Sequence, residues 1–177
     1  MNAVAATTSV GSEALLVTAG GYEQLRSKLE NLSVDGRRQM RERLREARED
    51  GHLADNPPLY DLLVEQAQLE RRIATLRAQL AAAQVVVPTA DGVVGVGTRV
   101  RVRDLPVGET AEYELVGETE SDAGNGRVSV GSPIGRALAG QGVGEIVEVE
   151  TPRETLFLEI LSVRPLARRQ HAAREAA

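Results

Sequence analysis

The sequence contains no cysteine and only two histidines, His52 and His171. Disulfides, thiolate metal centres and a histidine-rich zinc site are therefore excluded. A chain without disulfides fits a reducing compartment, so we expect it in the cytoplasm. No run approaches the roughly 20 apolar residues of a membrane span. Residues 1–11 also lack the basic and apolar regions of a signal peptide.

Aromatic side chains are almost as scarce, with three tyrosines, one phenylalanine and no tryptophan. Proteins that hold single-stranded nucleic acid by themselves usually stack the bases on several exposed rings. The sequence therefore argues against a base-stacking nucleic-acid surface.

Charge is present in both signs but is unevenly distributed. Residues 19–84 carry 11 basic and 11 acidic side chains, whereas residues 85–163 carry 6 basic and 13 acidic ones. This change predicts two modules with different surfaces. The acidic second module is a poor candidate for binding phosphates directly.

Helical periodicity dominates the first module. Apolar side chains recur at steps of three and four from Ala19, with an interruption at Gly36, and a heptad seam follows a turn at residues 51–58. The first set is Tyr22, Leu25, Leu29, Leu32, Met40, Leu44 and Ala47, and the second is Leu62, Gln66, Leu69, Ile73, Leu76, Leu80 and Ala83. Two such helices predict an antiparallel hairpin, and 30 residues would give an arm of roughly 45 Å.

The second module has the short alternating runs of a β-sheet, separated by glycine-rich turns. The predicted strands are Thr98–Val102, Tyr113–Val116, Arg127–Val130, Glu145–Val149 and Leu156–Val163. Ser132–Leu138 is predicted to be one short helix, with Ser132 as N-cap and Pro133 at the first position. The domain prediction is a flexible leader at 1–14, the hairpin at 15–84, the sheet module at 85–164 and a flexible tail at 165–177.

Several motifs carry a family resemblance, and they extend from about Leu16 to Arg164. They are Thr18–Tyr22, Arg45–Gly51, Glu65-Gln66, Tyr113–Gly117 and Ser129–Leu138, with Gly140, Gly144 and Glu145. Together they resemble the Gre family, whose members bind bacterial RNA polymerase and help it cleave backtracked RNA. The resemblance implies an α+β fold, in which a coiled-coil hairpin precedes a small FKBP-like sheet module with one short helix. It also implies a monomer that binds no membrane, carries no cofactor of its own and meets nucleic acid only within the transcription complex.

The resemblance also implies where the modules bind. The hairpin would enter the secondary channel of the polymerase, and the sheet module would grip the rim, including the β′ coiled coil. Ser132, Pro133 and Ile134 are the expected rim contact, although the family commonly has Asp where this chain has Gly131.

A basic patch on the arm would face the RNA 3′ end, and it is formed by Arg37, Arg41, Arg45 and Arg48. The alternative for this patch is a solvated face whose arginines form ordinary pairs such as Arg38–Glu42 and Arg45–Glu49.

The turn of the hairpin departs from the family. Cleavage-active members resemble Gly-Asp-Leu-Ser-Glu-Asn-Ala-Glu-Tyr there, and their two acids help the polymerase hold its second Mg²⁺ and orient water. Here His52 stands at the first acidic position, Asp55 at the second and Ala54 at the serine, and the spacing from Asn56 to Tyr60 is one residue longer. Imidazole is a poor Mg²⁺ ligand.

The residues expected near the polymerase active centre are Asp50, His52, Asp55 and Asn56, with Asp55 as the one candidate ligand for the second Mg²⁺. The sequence thus predicts a regulator that inhibits or modulates transcription without stimulating cleavage, and that is not itself an enzyme. The open alternatives are an active cleavage factor using Asp55, a turn whose polar residues only cap the second helix, and a coiled-coil protein without a polymerase role. A prolyl isomerase is disfavoured, because Tyr113 and Phe157 alone cannot line its aromatic pocket.

Overall fold

The computed structural model describes residues 14–49, 57–88, 91–151 and 155–166. A helical hairpin precedes a curled sheet module, which confirms the α+β class. The first module consists of β1 (Leu15–Val17), α1 (Ala19–Asn31), a π-helical turn (Leu32–Gly36), α2 (Arg37–Glu49), α3 (Pro57–Ala82) and β2 (Ala83–Val85). The second consists of β3 (Thr98–Asp104), β4 (Thr110–Val116), β5 (Arg127–Ser129), α4 (Pro133–Leu138), β6 (Ile146–Glu150) and β7 (Thr155–Pro165), with short 3₁₀ turns at Glu118–Glu120 and Ala123–Asn125.

The first limb of the hairpin continues through Gly36, and the predicted interruption of its apolar spacing coincides with the π-helical turn Leu32–Gly36. The Leu32 N–H bonds back to Lys28, and the Arg37 N–H bonds to the Leu32 carbonyl, five residues earlier. That wider spacing is the mark of a π-turn, which adds one residue to the helix without ending it. Gly36 suits this position because an added Cβ would lie 3.3 Å from Leu69 Cδ1 on α3.

The heptad seam of α3 is buried as predicted over most of its length. Leu62, Ile73 and Leu76 are buried against the first limb, and Leu69 and Leu80 are partly covered. The last predicted seam residue, Ala83, is not helical, because the chain turns there into β2.

The hairpin packs in two apolar clusters. The cluster nearer the turn comprises Met40, Leu44, Leu59 and Leu62, and the cluster at the base comprises Val17, Leu25 and Leu76. Burying such side chains stabilises the pairing by about 1.5–3 kcal/mol each, so the arm is held along its length.

A parallel two-stranded ribbon ties the base of the hairpin together. Leu15 pairs with Ala83 and Val17 with Val85. The sequence did not predict β1. Its middle residue Leu16 is exposed, and a strand of three residues has too little alternation to be recognised.

The second module is a five-stranded sheet in the order β5-β4-β3-β7-β6, antiparallel except for the β4–β5 pair. Its inner face forms the core, in which Val100, Leu115, Leu138 and Ile160 are almost fully buried. All five predicted strands and the helix α4 are present. β7 extends to Pro165, two residues past the predicted end, because its last residues pair with Thr98 and Arg99 of β3.

Candidate functional site

The turn of the hairpin lies between the end of α2 at Glu49 and the start of α3 at Pro57. Its four predicted site residues, Asp50, His52, Asp55 and Asn56, lie outside the described residues. Their roles stay predictions that rest on the sequence.

The first described residues beyond the turn show how α3 packs at its start. Leu59 is buried in the cluster with Met40 and Leu44, whereas Tyr60 is 63% exposed. The cleavage-active pattern has Glu immediately before the tyrosine, where this chain has Leu59. A carboxylate there would be buried among apolar side chains at a large free-energy cost. The start of α3 is therefore adapted to its own packing.

The proposed basic patch divides into paired and unpaired arginines. Arg37 makes a bidentate bond to Glu70 on α3, with N–O distances of 2.8 and 2.6 Å. Arg45 bonds to Glu42 at 2.7 Å and is 4.0 Å from Glu49. Within the described residues, Arg41 and Arg48 have no ion pair. Only these two remain available to a partner without first breaking a pair.

Of the two ion pairs predicted for a solvated face, one is confirmed and one is not. Arg45 is near Glu49 as predicted, but Arg38 pairs with Asp35, three residues earlier, instead of Glu42. A second pair between the limbs, Arg43–Glu65, has an N–O distance of 2.6 Å. Together with Arg37–Glu70 it links α2 to α3.

The Arg37–Glu70 pair has a defined pH dependence. The hydrogen bond from Arg37 holds the pKa of Glu70 below its ordinary value of 4.5. A carboxyl whose pKa falls on folding stabilises the fold above its unfolded pKa, and that contribution is lost as the pH falls through the folded pKa. We therefore expect Glu70→Gln to lower the thermal midpoint at pH 7, and to lower it progressively less as the pH falls through the folded pKa of Glu70.

Thermal melting of the wild type and Glu70→Gln between pH 3 and 7 measures this effect. Glu46→Gln is the matched control, since Glu46 is exposed on the arm and forms no ion pair among the described residues. If Glu70→Gln lowered the thermal midpoint by the same amount at acidic pH as at pH 7, the Arg37–Glu70 pair would not be the source of the pH dependence.

The Ser132 loop is rigid at its start. The Ser132 Oγ accepts from the Gly135 N–H at 3.0 Å and donates to the Ser129 carbonyl at 2.7 Å. The Arg136 guanidinium bonds to the Gly131 carbonyl at 2.6 Å. Ser132 is thus an N-cap as predicted, with its hydroxyl used inside the protein, while Pro133 is exposed and Ile134 half-buried.

Gly131, which stands where the resemblance leads one to expect aspartate, lies beside the exposed carboxylate of Glu118. A Cβ added there would lie 2.9 Å from Glu118 Oε1. An aspartate would bring a second carboxylate against Glu118, and like charges at that range repel. Glu118 therefore supplies the negative charge beside the loop.

A shallow depression adjoins the Ser132 loop, between α4 and β6. It is lined by Pro133, Arg136, Ala137, Glu148 and Glu150. The sequence did not predict that Arg136, Glu148 and Glu150 share a surface with Pro133, because that depends on how α4 packs across β6. The depression extends the predicted rim contact into a mixed-charge surface.

The two aromatic rings of the sheet module lie on opposite faces of the sheet. Tyr113 pairs with Val100 and packs against the core, whereas Phe157 is opposite Glu148 and 41% exposed. They therefore do not line one cavity. This placement disfavours a prolyl isomerase, which would bind the substrate proline among aromatic side chains.

Two further findings concern the described residues alone. No helix among them combines the length and apolarity needed to cross a membrane. They also bring together no group of three or more His, Asp or Glu side chains that could hold a metal ion.

Comparison with known proteins finds a matching family model for each half of the chain. Residues 15–85 match the family model "Transcription elongation factor, N-terminal", and residues 89–165 match "Transcription elongation factor, GreA/GreB, C-term". The transcription elongation factor GreA of Chloroherpeton thalassium is 37% identical over 155 residues, or 86% of this chain and 98% of the relative. The GreA of Clostridioides difficile is 38% identical over 151 residues, or 84% and 95%.

Among solved structures, the GreA factor homolog 1 (Gfh1) of Thermus thermophilus is 26% identical, covers 86% of this chain and 99% of its own, and has a TM-score of 0.40. A GreA/GreB factor from Nitrosomonas europaea is 23% identical, covers 86% and 98%, and has a TM-score of 0.38. Because both halves match the family models and the curated relatives are covered almost completely, this chain belongs to the GreA/GreB family of transcription elongation factors.

Proposed function

We propose that this chain binds bacterial RNA polymerase, places its hairpin in the secondary channel and inhibits or modulates transcription without stimulating RNA cleavage. Family membership supports the polymerase as partner. The observation that carries the finer proposal is the turn, where His52 stands at the first of the two acidic positions of cleavage-active members.

The chemistry explains why that one position matters. Hydrolysis of a phosphodiester at the polymerase uses two metal ions, which activate water and neutralise the leaving oxygen. Mg²⁺ prefers oxygen ligands, and a protonated imidazole would repel it. Asp55 alone supplies one carboxylate where the reaction calls for two. The chain is then a regulator of the polymerase and not an enzyme, and any residual hydrolysis belongs to the polymerase.

Anchoring and obstruction are separate tasks in this proposal. The Ser132 loop and the adjoining depression would hold the rim, including the β′ coiled coil, and the arm would occupy the channel. A filled channel hinders the entry of nucleotides, so the expected sign of the effect is inhibition.

The second candidate function is stimulation of transcript cleavage. Asp55 keeps one acid at the turn, and relatives 37% and 38% identical to this chain carry the name GreA. On this alternative, Asp55→Ala would abolish cleavage.

One experiment separates the two functions. Purified polymerase is assayed with and without the protein for run-off yield and for cleavage of RNA in backtracked complexes, beside a cleavage-active Gre factor. We expect a lower run-off yield and no added cleavage. Cleavage comparable to that of the active factor would establish the second function instead.

A further inference from the structure

The two modules meet at one buried carboxylate. Glu120 belongs to the sheet module, yet its side chain is only 2% exposed. Its oxygens accept from the Thr18 N–H at 2.7 Å, from the Thr18 hydroxyl at 2.6 Å and from Arg127 Nη2 at 3.0 Å. Two of the three donors are therefore in the hairpin, 102 residues away in sequence.

This contact completes the N-terminal cap of α1. Thr18 is the N-cap residue, and its hydroxyl accepts from the Gly21 N–H at 2.9 Å. In an ordinary capping box, a glutamate three residues after the N-cap reaches back to the N-cap N–H. Here that position is Gly21, and Glu120 bonds to the N–H instead. The first turn of α1 has no acidic residue, so Glu120 also supplies the negative charge that a helix start favours.

Two glycines keep the space that this arrangement requires. A Cβ added to Gly21 would lie 1.9 Å from Glu120 Cδ, and one added to Gly117 would lie 1.9 Å from the Leu16 carbonyl oxygen. Neither glycine has a positive φ, so close approach explains them and backbone conformation does not. Thr18, Gly21 and Gly117 all belong to the motifs that carry the family resemblance.

We propose that Glu120 is the positioning residue that fixes the direction in which the hairpin leaves the sheet module. A rotation at this contact would break the two hydrogen bonds that Glu120 accepts from Thr18 and leave its carboxylate with Arg127 alone, and hydrogen bonds to a charged group are among the stronger ones in proteins. The contact between Glu120 and Thr18, called the joint here, therefore fixes the direction of the arm relative to the proposed rim contact. The positioning role of Glu120 rests on the proposed function, in which the hairpin fills the secondary channel.

Neighbouring glycines provide a matched test. Gly20 precedes Gly21 in the same helix turn, but its added Cβ would meet only Thr18 Oγ1, at an ordinary 3.7 Å. Alanine favours a helix over glycine at both positions. Helix propensity alone thus predicts that Gly20→Ala and Gly21→Ala behave alike. The joint predicts that only Gly21→Ala displaces Glu120.

The distance between two spin labels, one on each module, measures how firmly the joint holds the modules together. The chain has no native cysteine, so Ala74→Cys on α3 and Thr110→Cys on β4, both exposed, give one labelled pair. Pulsed electron resonance should give one narrow distance distribution for the otherwise unchanged protein and for Gly20→Ala. The width should at least double in Gly21→Ala and Glu120→Ala, while circular dichroism shows that the helix content is kept. Glu120→Gln, of nearly the same size, serves if the alanine variant does not fold.

Transcription assays then test the positioning role. We expect Gly21→Ala to bind polymerase within about twofold of the unchanged protein, through the intact Ser132 loop, but to inhibit run-off at least fivefold less. Unchanged distance distributions in Gly21→Ala and in both Glu120 variants would overturn the joint. Broadened distributions with full inhibition would overturn the positioning role. If the unchanged protein itself did not inhibit, the proposed function would fail, while the spin-label result would still decide the joint.

Discussion

Restoring the acidic turn should convert this chain into a transcript-cleavage factor. The triple change His52→Asp, Ala54→Ser and Asp55→Glu returns the residue types of the cleavage-active pattern and leaves α2 and α3 unaltered. A positioned general acid or base typically contributes about 10²–10⁴-fold to a rate, and a carboxylate at the turn would orient the attacking water. We therefore expect the rate of RNA cleavage in backtracked complexes to rise at least about 100-fold, measured from gel-resolved time courses.

The matched control replaces His52 by Asn in the same triple variant. Asn removes the imidazole, as Asp does, but brings no carboxylate, so it should give no comparable increase. If the aspartate variant also stayed inactive while still binding polymerase, the residue types would not be the cause. The longer spacing between Asn56 and Tyr60, where Leu59 is buried, would then be the obstacle.

Gly135→Ala should destabilise the sheet module and weaken the proposed rim contact. A Cβ at Gly135 would lie 1.9 Å from the Ser129 carbonyl oxygen and 2.8 Å from Val130 Cα, both backbone atoms that cannot swing aside. α4 would have to move away from β5, and the Ser132 cap would be lost with it. Overpacking of this kind costs about 1–3 kcal/mol, and loss of an N-cap about 0.5–2 kcal/mol. Denaturant unfolding and equilibrium binding to polymerase measure the two effects.

Gly95→Ala is the control for this change. Gly95 is in the same module, has no positive φ, and an added Cβ there would meet nothing within 4 Å. Gly95→Ala should therefore leave both the free energy of unfolding and the affinity for polymerase nearly unchanged. Normal affinity in a destabilised Gly135→Ala protein would show that the Ser132 loop is not the rim contact.

Local signals made much of the fold predictable. α4 follows from Ser132 and Pro133, whose capping and backbone preferences act within one turn. β3 follows from strict alternation, with Val100 and Val102 inside. The pairing of Leu15 with Ala83 could not be predicted in this way, because a three-residue strand is stabilised only by a partner far along the chain. The π-turn did leave a signal, since Leu32 and Met40 are eight residues apart where two seam steps need seven.

The site was less predictable than the fold, for a related reason. Glu120 lies among Glu118 and Asp122, a run that resembles a solvated acidic loop. Its burial depends on Thr18 and Gly21, which reach it only after both modules have folded. The loop at Ser132 was predictable from its residues, whereas the depression beside it required the packing of α4 on β6.

The π-turn keeps the two apolar clusters of the hairpin in register with α3. An extra residue inside a regular α-helix would rotate everything beyond it by about 100°, turning Met40 and Leu44 away from α3. The wider turn absorbs that residue, so both apolar clusters keep facing the same partner helix. Removing one residue at Leu32–Gly36 would therefore leave a regular α-helix with both clusters in register, whereas adding one would rotate Met40 and Leu44 away from α3.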